Sequence, residues 1–127
     1  MRAYRRAPLV GRWSVASGRA AWWTWRSLRR AERDLKRDGV HATVTPPPSL
    51  PAGARRGVEF VLRRTSPTCL ERCLVLQTWL AAQHVPCEIV VGVARDADRV
   101  RAHAWLDVER HDAVALGYSE LHRLPPP

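Results

Sequence analysis

Apolar residues recur at the spacing of an amphipathic helix in the first third of the chain, between residues 17 and 39. Their shared side is formed by Ala21, Trp25, Leu28 and Leu35. Seven Arg or Lys side chains cover much of the remaining surface of this stretch. Ser17 stands where it could cap the N-terminus, and Gly39 follows the last turn as a stop signal. We therefore predict a basic amphipathic helix here.

A proline-rich segment, TPPPSLPAG at residues 45–53, separates this helix from the rest of the chain. Proline lacks a backbone donor and clashes with the preceding helical turn, so we predict a linker. A short helix is expected at 58–62. A second helical pattern runs from Cys69 to about His84, where HVP ends it, and its shared face is formed by Leu70, Cys73, Leu74, Gln77, Leu80 and Ala81.

Three short apolar stretches follow and alternate with polar turns. CEIVVGVA, at 87–94, is β-branched and apolar, which predicts a strand buried on both faces. RAHAWLDVE at 101–109 and AVALGY at 113–118 predict a second and a third strand, reached through the turns DADR and RHD. Helices followed by a small antiparallel sheet predict an α+β fold. We divide the chain into a basic, Trp-containing helical arm with its linker at 1–48 and a core domain at 49–127.

The composition is that of a folded protein without a membrane segment. The 127 residues are 46% hydrophobic and 26% charged, unlike a disordered chain. No stretch approaches the roughly 20 uncharged apolar residues that a membrane helix needs. Arg12 and Arg19 interrupt any signal-peptide core, and three cysteines, an odd number, suggest reduced thiols. We expect a cytoplasmic protein.

The net charge of +9 is concentrated in the N-terminal half. Residues 1–64 hold fifteen Lys or Arg and four Asp or Glu, whereas residues 65–127 hold six Arg and eight Asp or Glu. The two halves therefore carry net charges of +11 and −2. Such a distribution is typical of a docking surface on one part of the molecule.

Cys69 is the first candidate for chemistry, because Pro67 and Thr68 place it in the first turn of the second predicted helix. Unpaired amides and the positive end of the helix dipole stabilise a thiolate at such a position. Cys73 lies one turn deeper on the same face, where the dipole effect has faded. The sequence therefore favours Cys69 as a nucleophile and Cys73 as a packing residue.

A nucleophilic cysteine needs a base, and His103 lies within the second predicted strand. A helix with Cys at its N-terminus, packed on a sheet that carries His, is the arrangement of papain-like and transglutaminase-like enzymes. Trp105 is expected on the same face of the sheet as His103, because strand side chains alternate. We therefore predict a Cys–His centre.

Four motifs occur in order between residues 57 and 108: CLERCL, HVP, VVGV and AHAW. Together they resemble the leader peptidases of lasso-peptide biosynthesis, which are small transglutaminase-like cysteine proteases. The family pattern has Cys-Leu-x-Arg-Ser-Leu at a helix start, a Gly-Ile-Pro type of helix end, an Ile-Gly-Val strand and an Ala-His-Ala-Trp strand. The resemblance implies a transglutaminase-like or papain-like core, in which a helix bearing the nucleophile packs on a small antiparallel sheet.

The resemblance also implies roles for individual residues. Cys69 stands at the family nucleophile and His103 at its general base and acid, while Arg72 matches the family Arg and Cys73 stands where the family has Ser. The implied activity removes the leader from a ribosomally made precursor, and no metal or organic cofactor is implied. The implied partners are the precursor leader, a small leader-recognition protein and a macrolactam-forming cyclase. The basic N-terminal half is then a candidate docking surface.

The orienting acid of the triad is not fixed by these motifs. The family places an Asp on the strand after the His strand, but the residues expected opposite His103, near 115–118, are not acidic. We rank Asp112 first and Glu120 second as the orienting acid. A Cys–His dyad oriented by a backbone carbonyl is an equal alternative.

Two other functions, zinc binding and nucleic-acid binding, would each account for one feature of the sequence. Cys69, Cys73, Cys87 and a His offer enough ligands for zinc, but their spacing departs from the short Cys-x-x-Cys hairpins of structural zinc sites. The Arg-rich helix and its three tryptophans could contact phosphates and stack on bases, although no known nucleic-acid-binding motif is present. We keep a non-enzymatic module that binds nucleic acid or a partner protein as the alternative.

Overall fold

The computed structural model describes residues 14–39, 42–109 and 116–127. Its elements follow in the order α1 (Val15–Asp38), a 3₁₀ turn (Ala52–Ala54), α2 (Arg55–Thr65), α3 (Cys69–Ala82), β1 (Ile89–Asp96), β2 (Arg99–Leu106) and β3 (Ser119–Leu124). Helices precede an antiparallel sheet, so the predicted α+β class is confirmed.

Helix α1 begins earlier than the sequence pattern predicts. Ser14 is the N-cap, and its side chain accepts a hydrogen bond from the Ser17 backbone amide at 3.1 Å. The prediction of Ser17 as the cap is therefore wrong, and Ser17 lies buried inside the helix. Both serines have the same capping chemistry, but Ser14 is the one with extended backbone. The stop at Gly39 is confirmed, because Gly39 has a φ of 61° and donates its N–H to the Leu35 carbonyl.

Small residues let α1 and α2 approach until their backbones touch. A Cβ atom at Gly57 would lie 2.8 Å from the Ala21 nitrogen and still closer to the Ser17 carbonyl oxygen, so only glycine fits there. This close approach determines which side of α1 is buried. The sequence pattern assigns Trp25 to the buried side, but in the structure Trp25 is 42% exposed. The buried stripe consists of Ser17, Ala20, Trp23, Thr24, Ser27, Leu28 and Ala31.

The three helices and the sheet share one hydrophobic core. Helix α3 supplies most of its centre, where Cys73, Leu76 and Trp79 are fully buried. Burying a large apolar side chain contributes roughly 1.5–3 kcal/mol, so this shared core holds the elements together. The other elements add Ala20, Trp23, Leu28, Val58, Val61, Leu62, Ile89, Ala104 and Leu106.

The proline-rich segment lies along α1 without helix or strand structure from residue 42 to residue 50. Trp23 Nε1 donates to the Thr45 carbonyl oxygen at 2.9 Å, and Gln83 Nε2 donates to the Leu50 carbonyl oxygen at 3.0 Å. These bonds attach the predicted linker to α1 and to the end of α3. Helix α2 then spans eleven residues and is longer than the predicted 58–62.

In the described part of the chain, the sheet has three antiparallel strands in the order β2-β1-β3. The third strand differs from its prediction. Leu116 and Gly117 form a turn, with a φ of 80° at Gly117, and β3 begins only at Ser119. The strand is mostly exposed and polar, so a search for apolar runs misses it. Residues 113–115 of the predicted strand lie outside the described residues.

Alternation of side chains gives the sheet two different faces. Ile89, Ala104 and Leu106 lie on the face that belongs to the shared core. Val90 and Gly92 point to the opposite face and are also buried, so burial of β1 on both faces is confirmed for this stretch. Across residues 14–39, 42–109 and 116–127, no helix combines the length and apolarity needed to cross a bilayer.

Candidate active site

Cys69 is the first residue of α3, the helix at the centre of the core. Thr68 caps this helix through a reciprocal capping box: its N–H donates to Glu71 Oε1 at 3.0 Å, and the Glu71 N–H donates to Thr68 Oγ1 at 3.3 Å. The box fixes the first turn of the helix, and with it the backbone of Cys69. The predicted position of Cys69 in the first turn is therefore confirmed, and it lies at the positive end of the helix dipole.

The three thiols of the chain differ in accessibility. Cys69 is half-buried, whereas Cys73 and Cys87 are buried. Desolvation by burial raises the pKa of Cys73 to about 12 and that of Cys87 to about 12. Both buried thiols are therefore protonated at neutral pH, and reagents reach Cys69 most easily.

A bidentate ion pair joins the start of α3 to the end of β2. The two terminal guanidinium nitrogens of Arg72 donate to the two carboxylate oxygens of Glu109 at 3.0 and 2.7 Å. Glu109 also accepts a hydrogen bond from the Leu106 backbone amide at 3.2 Å. The pair is largely buried, with side chains 22% and 17% exposed, and the hydrogen bond to Glu109 raises the pKa of Arg72. The sequence motif singles out Arg72, whereas Glu109 is predicted only as the end of the second strand and carries no signal of this pairing.

His103 lies in β2 within a cluster of aromatic rings. Its imidazole centroid is 5.9 Å from the Trp105 ring, at an interplanar angle of 28°, and 5.6 Å from the Tyr118 ring. The stacking confirms that Trp105 shares the sheet face of His103. The sequence predicts residues 115–118 opposite His103, and Tyr118 does lie against the imidazole, although it follows the Leu116–Gly117 turn and is not part of a strand. The Trp105 and Tyr118 rings form an aromatic wall beside the imidazole.

The aromatic wall depends on Gly92, which is the register partner of His103 on β1. A Cβ atom on Gly92 would lie 2.7 and 2.9 Å from two carbons of the Trp105 ring. The ring therefore occupies the space that a side chain at residue 92 would need. The glycine of the VVGV motif is thus explained by packing beneath the aromatic cluster.

Within the residues that the structure describes, β2 has β1 on one side only, and its other edge faces the start of α3 through Arg72. The Asp107 backbone amide donates to the Glu88 carbonyl oxygen, so it points towards β1. The neighbouring Leu106 backbone amide points away from β1 and donates to the Glu109 carboxylate. Arg72 binds Glu109 at this edge, which brings the first turns of α3 alongside β2.

Cys69 packs against the shared core, and the alternation of β2 turns the His103 side chain to the opposite face of the sheet. In the described part of the chain, β2 is an outer strand. Any contact between the Cys69 thiol and the His103 imidazole therefore has to be made around the edge of β2.

The sequence offers two acidic residues, Asp112 and Glu120, as candidates to orient the His103 imidazole. Asp112 lies outside the described residues. Glu120 is exposed on β3 and is bound by Arg123, whose hydrogen bond holds the pKa of Glu120 below its usual value. Glu120 pairs with Gly92 on β1, which itself pairs with His103, so the two residues are two strands apart, or about 10 Å between backbones.

The alternative function, zinc binding, would require the three cysteines and a histidine to act together as ligands. Within residues 14–39, 42–109 and 116–127, no three His, Cys, Asp or Glu side chains lie together in a way that could hold a metal ion. Cys73 and Cys87 are instead packed in the hydrophobic core.

A sequence profile of the transglutaminase-like superfamily matches residues 12–123. The match includes α1, the proline-rich segment, Cys69 and His103, β1, β2 and all but the last residue of β3. No curated protein and no solved structure matches the chain.

Proposed function

The chain belongs to the transglutaminase-like superfamily, and from this premise we propose that it is a cysteine peptidase that removes the leader from a ribosomally made lasso-peptide precursor. The observation that carries the proposal is the position of Cys69, the most accessible of the three thiols, at the capped start of the central helix. The four motifs of the leader peptidases support the finer assignment of the substrate.

The proposed reaction begins when His103 accepts the Cys69 thiol proton. The thiolate attacks the scissile carbonyl carbon and forms a C–S bond, and the electron pair of the carbonyl moves to its oxygen. The Cys69 backbone amide, at the helix N-terminus, is suited to stabilise this oxyanion. The tetrahedral intermediate expels the leaving amine, which takes its proton from His103. Water, deprotonated by His103, then attacks the acyl carbon and forms a C–O bond, the C–S bond breaks to release the carboxyl product, and the Cys69 thiolate takes the proton back from His103.

Two other features of the structure suit this chemistry. The Arg72–Glu109 pair holds the first turns of α3 at the edge of β2, which limits how far the nucleophile can move relative to the His strand. The Trp105 and Tyr118 rings limit the rotation of the imidazole. For the orienting group we propose Asp112, with a dyad held by a backbone carbonyl as the equal alternative.

The proposal extends to partners and location. We place the reaction in the cytoplasm, where free thiols persist. The substrate would be presented by a small leader-recognition protein, and a macrolactam-forming cyclase would act on the released core peptide. The +11 charge of residues 1–64 supports a docking role for the N-terminal half.

One observation favours a second candidate, a non-enzymatic module that binds nucleic acid. Trp22 and Trp25 are exposed and stack at 5.4 Å between ring centroids, and the Arg29 guanidinium lies 5.5 Å from the Trp25 ring centroid. Exposed aromatic and guanidinium groups of this kind can stack on bases. The superfamily match and the cysteine at the helix start favour the peptidase over this candidate.

Reconstituted cleavage tests the proposal. The protein is mixed with a lasso-peptide precursor and a leader-recognition protein chosen from the genes that neighbour its own, and the products are identified by mass spectrometry. We expect release of an intact leader by the wild type, no release by Cys69→Ala, and substantial release by the matched variant Cys73→Ser. A Cys69→Ala protein that is folded by circular dichroism and cleaves at the wild-type rate would refute the assignment.

A further inference from the structure

A groove of about 890 Å³ lies between α1 and the proline-rich segment. Its α1 side carries Trp22, which is 60% exposed, and Arg19, Arg26 and Arg30. The other wall is formed by residues 43–45 and Pro48. None of the described residues that line it belongs to α3 or to the sheet, so the described groove is separate from the candidate active site.

The walls of the groove are held in place by specific contacts. The Trp23 indole donates to the Thr45 carbonyl at 2.9 Å and so fixes the proline-rich wall against α1. Trp22 stacks on Trp25 at 5.4 Å, which restricts the exposed indole to one side of the groove. The groove is therefore preformed, and an occupant does not have to order its walls on binding.

Charge defines what the groove can accept. Among the residues that the structure describes, three arginines line it against one acidic residue, Asp34. Arg19 and Arg30 are eleven residues apart on α1, which corresponds to about 16 Å along a helix. An extended peptide covers that distance with about five residues. Carboxylates on such a peptide can pair with the guanidinium groups, and an apolar side chain can cover the Trp22 indole.

Charge also disfavours occupants from the protein itself. Residues 1–13 contain four arginines and no Asp or Glu, and a second copy of the chain would bring a net charge of +9. Both would place like charges beside the groove arginines. A negatively charged partner is favoured instead, and the apolar surface of Trp22, Val44 and Pro48 favours one with apolar side chains between its charges.

We propose that this groove binds an extended acidic segment of the substrate leader, about five residues long, with a large apolar side chain seated on Trp22. The inference rests on the proposed leader-peptidase function. It assigns to this chain its own contact with the leader, remote from the thiol, in addition to the presentation of the leader by a separate recognition protein. Binding energy from this site is available to position the scissile bond.

Fluorescence anisotropy tests the groove with a defined probe, a fluorescein-labelled ten-residue peptide of Asp, Glu, Leu and Phe, at 150 mM NaCl. Arg19→Glu/Arg26→Glu should weaken its binding about tenfold or more, because attraction becomes repulsion inside the groove. The matched control Arg29→Glu/Arg33→Glu makes the same charge change on α1 outside the groove and should weaken binding less than about threefold. Trp22→Ala should also weaken binding, while alkylation of Cys69 by iodoacetamide should proceed at the wild-type rate in every variant.

Three results would overturn the proposal. Equal weakening by the groove pair and the control pair would mean that the probe senses only the diffuse charge of α1. Equal binding of a peptide with Lys in place of the acids would exclude carboxylate recognition. Displacement of the probe by single-stranded oligothymidylate, with tighter binding of the oligonucleotide through the same arginines, would assign the groove to nucleic acid.

Precursor cleavage separates this inference from the function on which it rests. A wild type that binds the probe through the groove arginines but releases no leader would refute the peptidase and retain the acidic-peptide site. A groove variant with wild-type kcat/KM on the precursor would refute the groove and retain the peptidase. The expected result is a raised KM with alkylation of Cys69 unchanged.

Discussion

The Arg72 guanidinium and the Glu109 carboxylate, 37 residues apart in the chain, form two hydrogen bonds that bind the first turns of the cysteine helix to the end of the histidine strand. Because both side chains are largely buried, each charge depends on the other for its solvation. Arg72 of the CLERCL motif therefore connects α3 to β2 through a largely buried ion pair, a role that its position on a helix does not reveal in the sequence.

Loss of either partner of this pair should be costly. We expect Arg72→Ala and Glu109→Ala each to lower the free energy of unfolding by about 2–3 kcal/mol, because each leaves a poorly solvated charge. The double variant should lose less than the sum, with a coupling energy of about 1–3 kcal/mol. Urea denaturation of the four proteins measures the cycle. Additive losses would show that the pair contributes nothing of its own, and Arg123→Ala, in an exposed pair, should have a much smaller effect.

Thiol labelling should follow accessibility. Under native conditions iodoacetamide should modify Cys69 first, since Cys73 and Cys87 are buried and burial raises the pKa of each to about 12. Peptide mass mapping at increasing reaction times gives the order. In urea all three thiols should react at similar rates, which controls for local sequence effects. Faster native labelling of Cys73 or Cys87 than of Cys69 would contradict the nucleophile assignment.

Stability should fall in alkaline solution through the buried Cys73 thiol. Its pKa is raised from 9.0 to about 12 in the folded protein, so its stabilising contribution is complete below about pH 9 and is lost between about pH 9 and pH 12. Within that window the unfolded thiol has released a proton that the folded thiol keeps, and unfolding becomes easier as pH rises.

Comparison with Cys73→Ser isolates this effect. Between pH 8 and pH 10 the wild type should lose about 1 kcal/mol more than Cys73→Ser, because serine does not titrate in this range. Urea denaturation at the two pH values provides the measurement. If both proteins lose the same free energy of unfolding between the two pH values, burial does not raise the pKa of Cys73.

A methyl group at residue 92 should disturb the aromatic wall. Gly92→Ala places a Cβ atom against the Trp105 ring, and we expect a loss of about 1–3 kcal/mol from overpacking. Gly53→Ala is the matched control, because open space surrounds that position, and its melting temperature should stay near that of the wild type. In a Trp105→Leu background the Gly92→Ala change should cost less. An equal cost in both backgrounds would mean that the ring is not what the methyl group meets.

Local signals determined which features the sequence could predict. The start of α3 follows from Pro67, the capping chemistry of Thr68 and the apolar spacing after Cys69, all within one short stretch. Accessibility of Cys69 and burial of Cys73 follow from the same pattern. β1 was equally predictable, because an apolar, β-branched run has few alternatives to a buried strand.

Features that depend on distant contacts were missed. β3 is a polar strand whose existence depends on pairing with β1, so its own residues give no periodic signal. Glu109 is recognisable only when folding brings Arg72 to it. Trp25 and Trp23 are equally apolar in sequence, and the close approach of Gly57 decides which of them is buried.

The backbone contact between α1 and α2 at Gly57 has a consequence for how this protein can change over time. Main-chain atoms of Ser17 and Ala21 form that interface, so the outward side chains of α1 take no part in it. Substitutions at Arg19, Arg26 or Trp22 can therefore accumulate without loosening the helix. Under the proposed function, a chain of this design can be retargeted to a new peptide by changes on one helix surface, while the half that carries Cys69 and His103 is inherited unchanged.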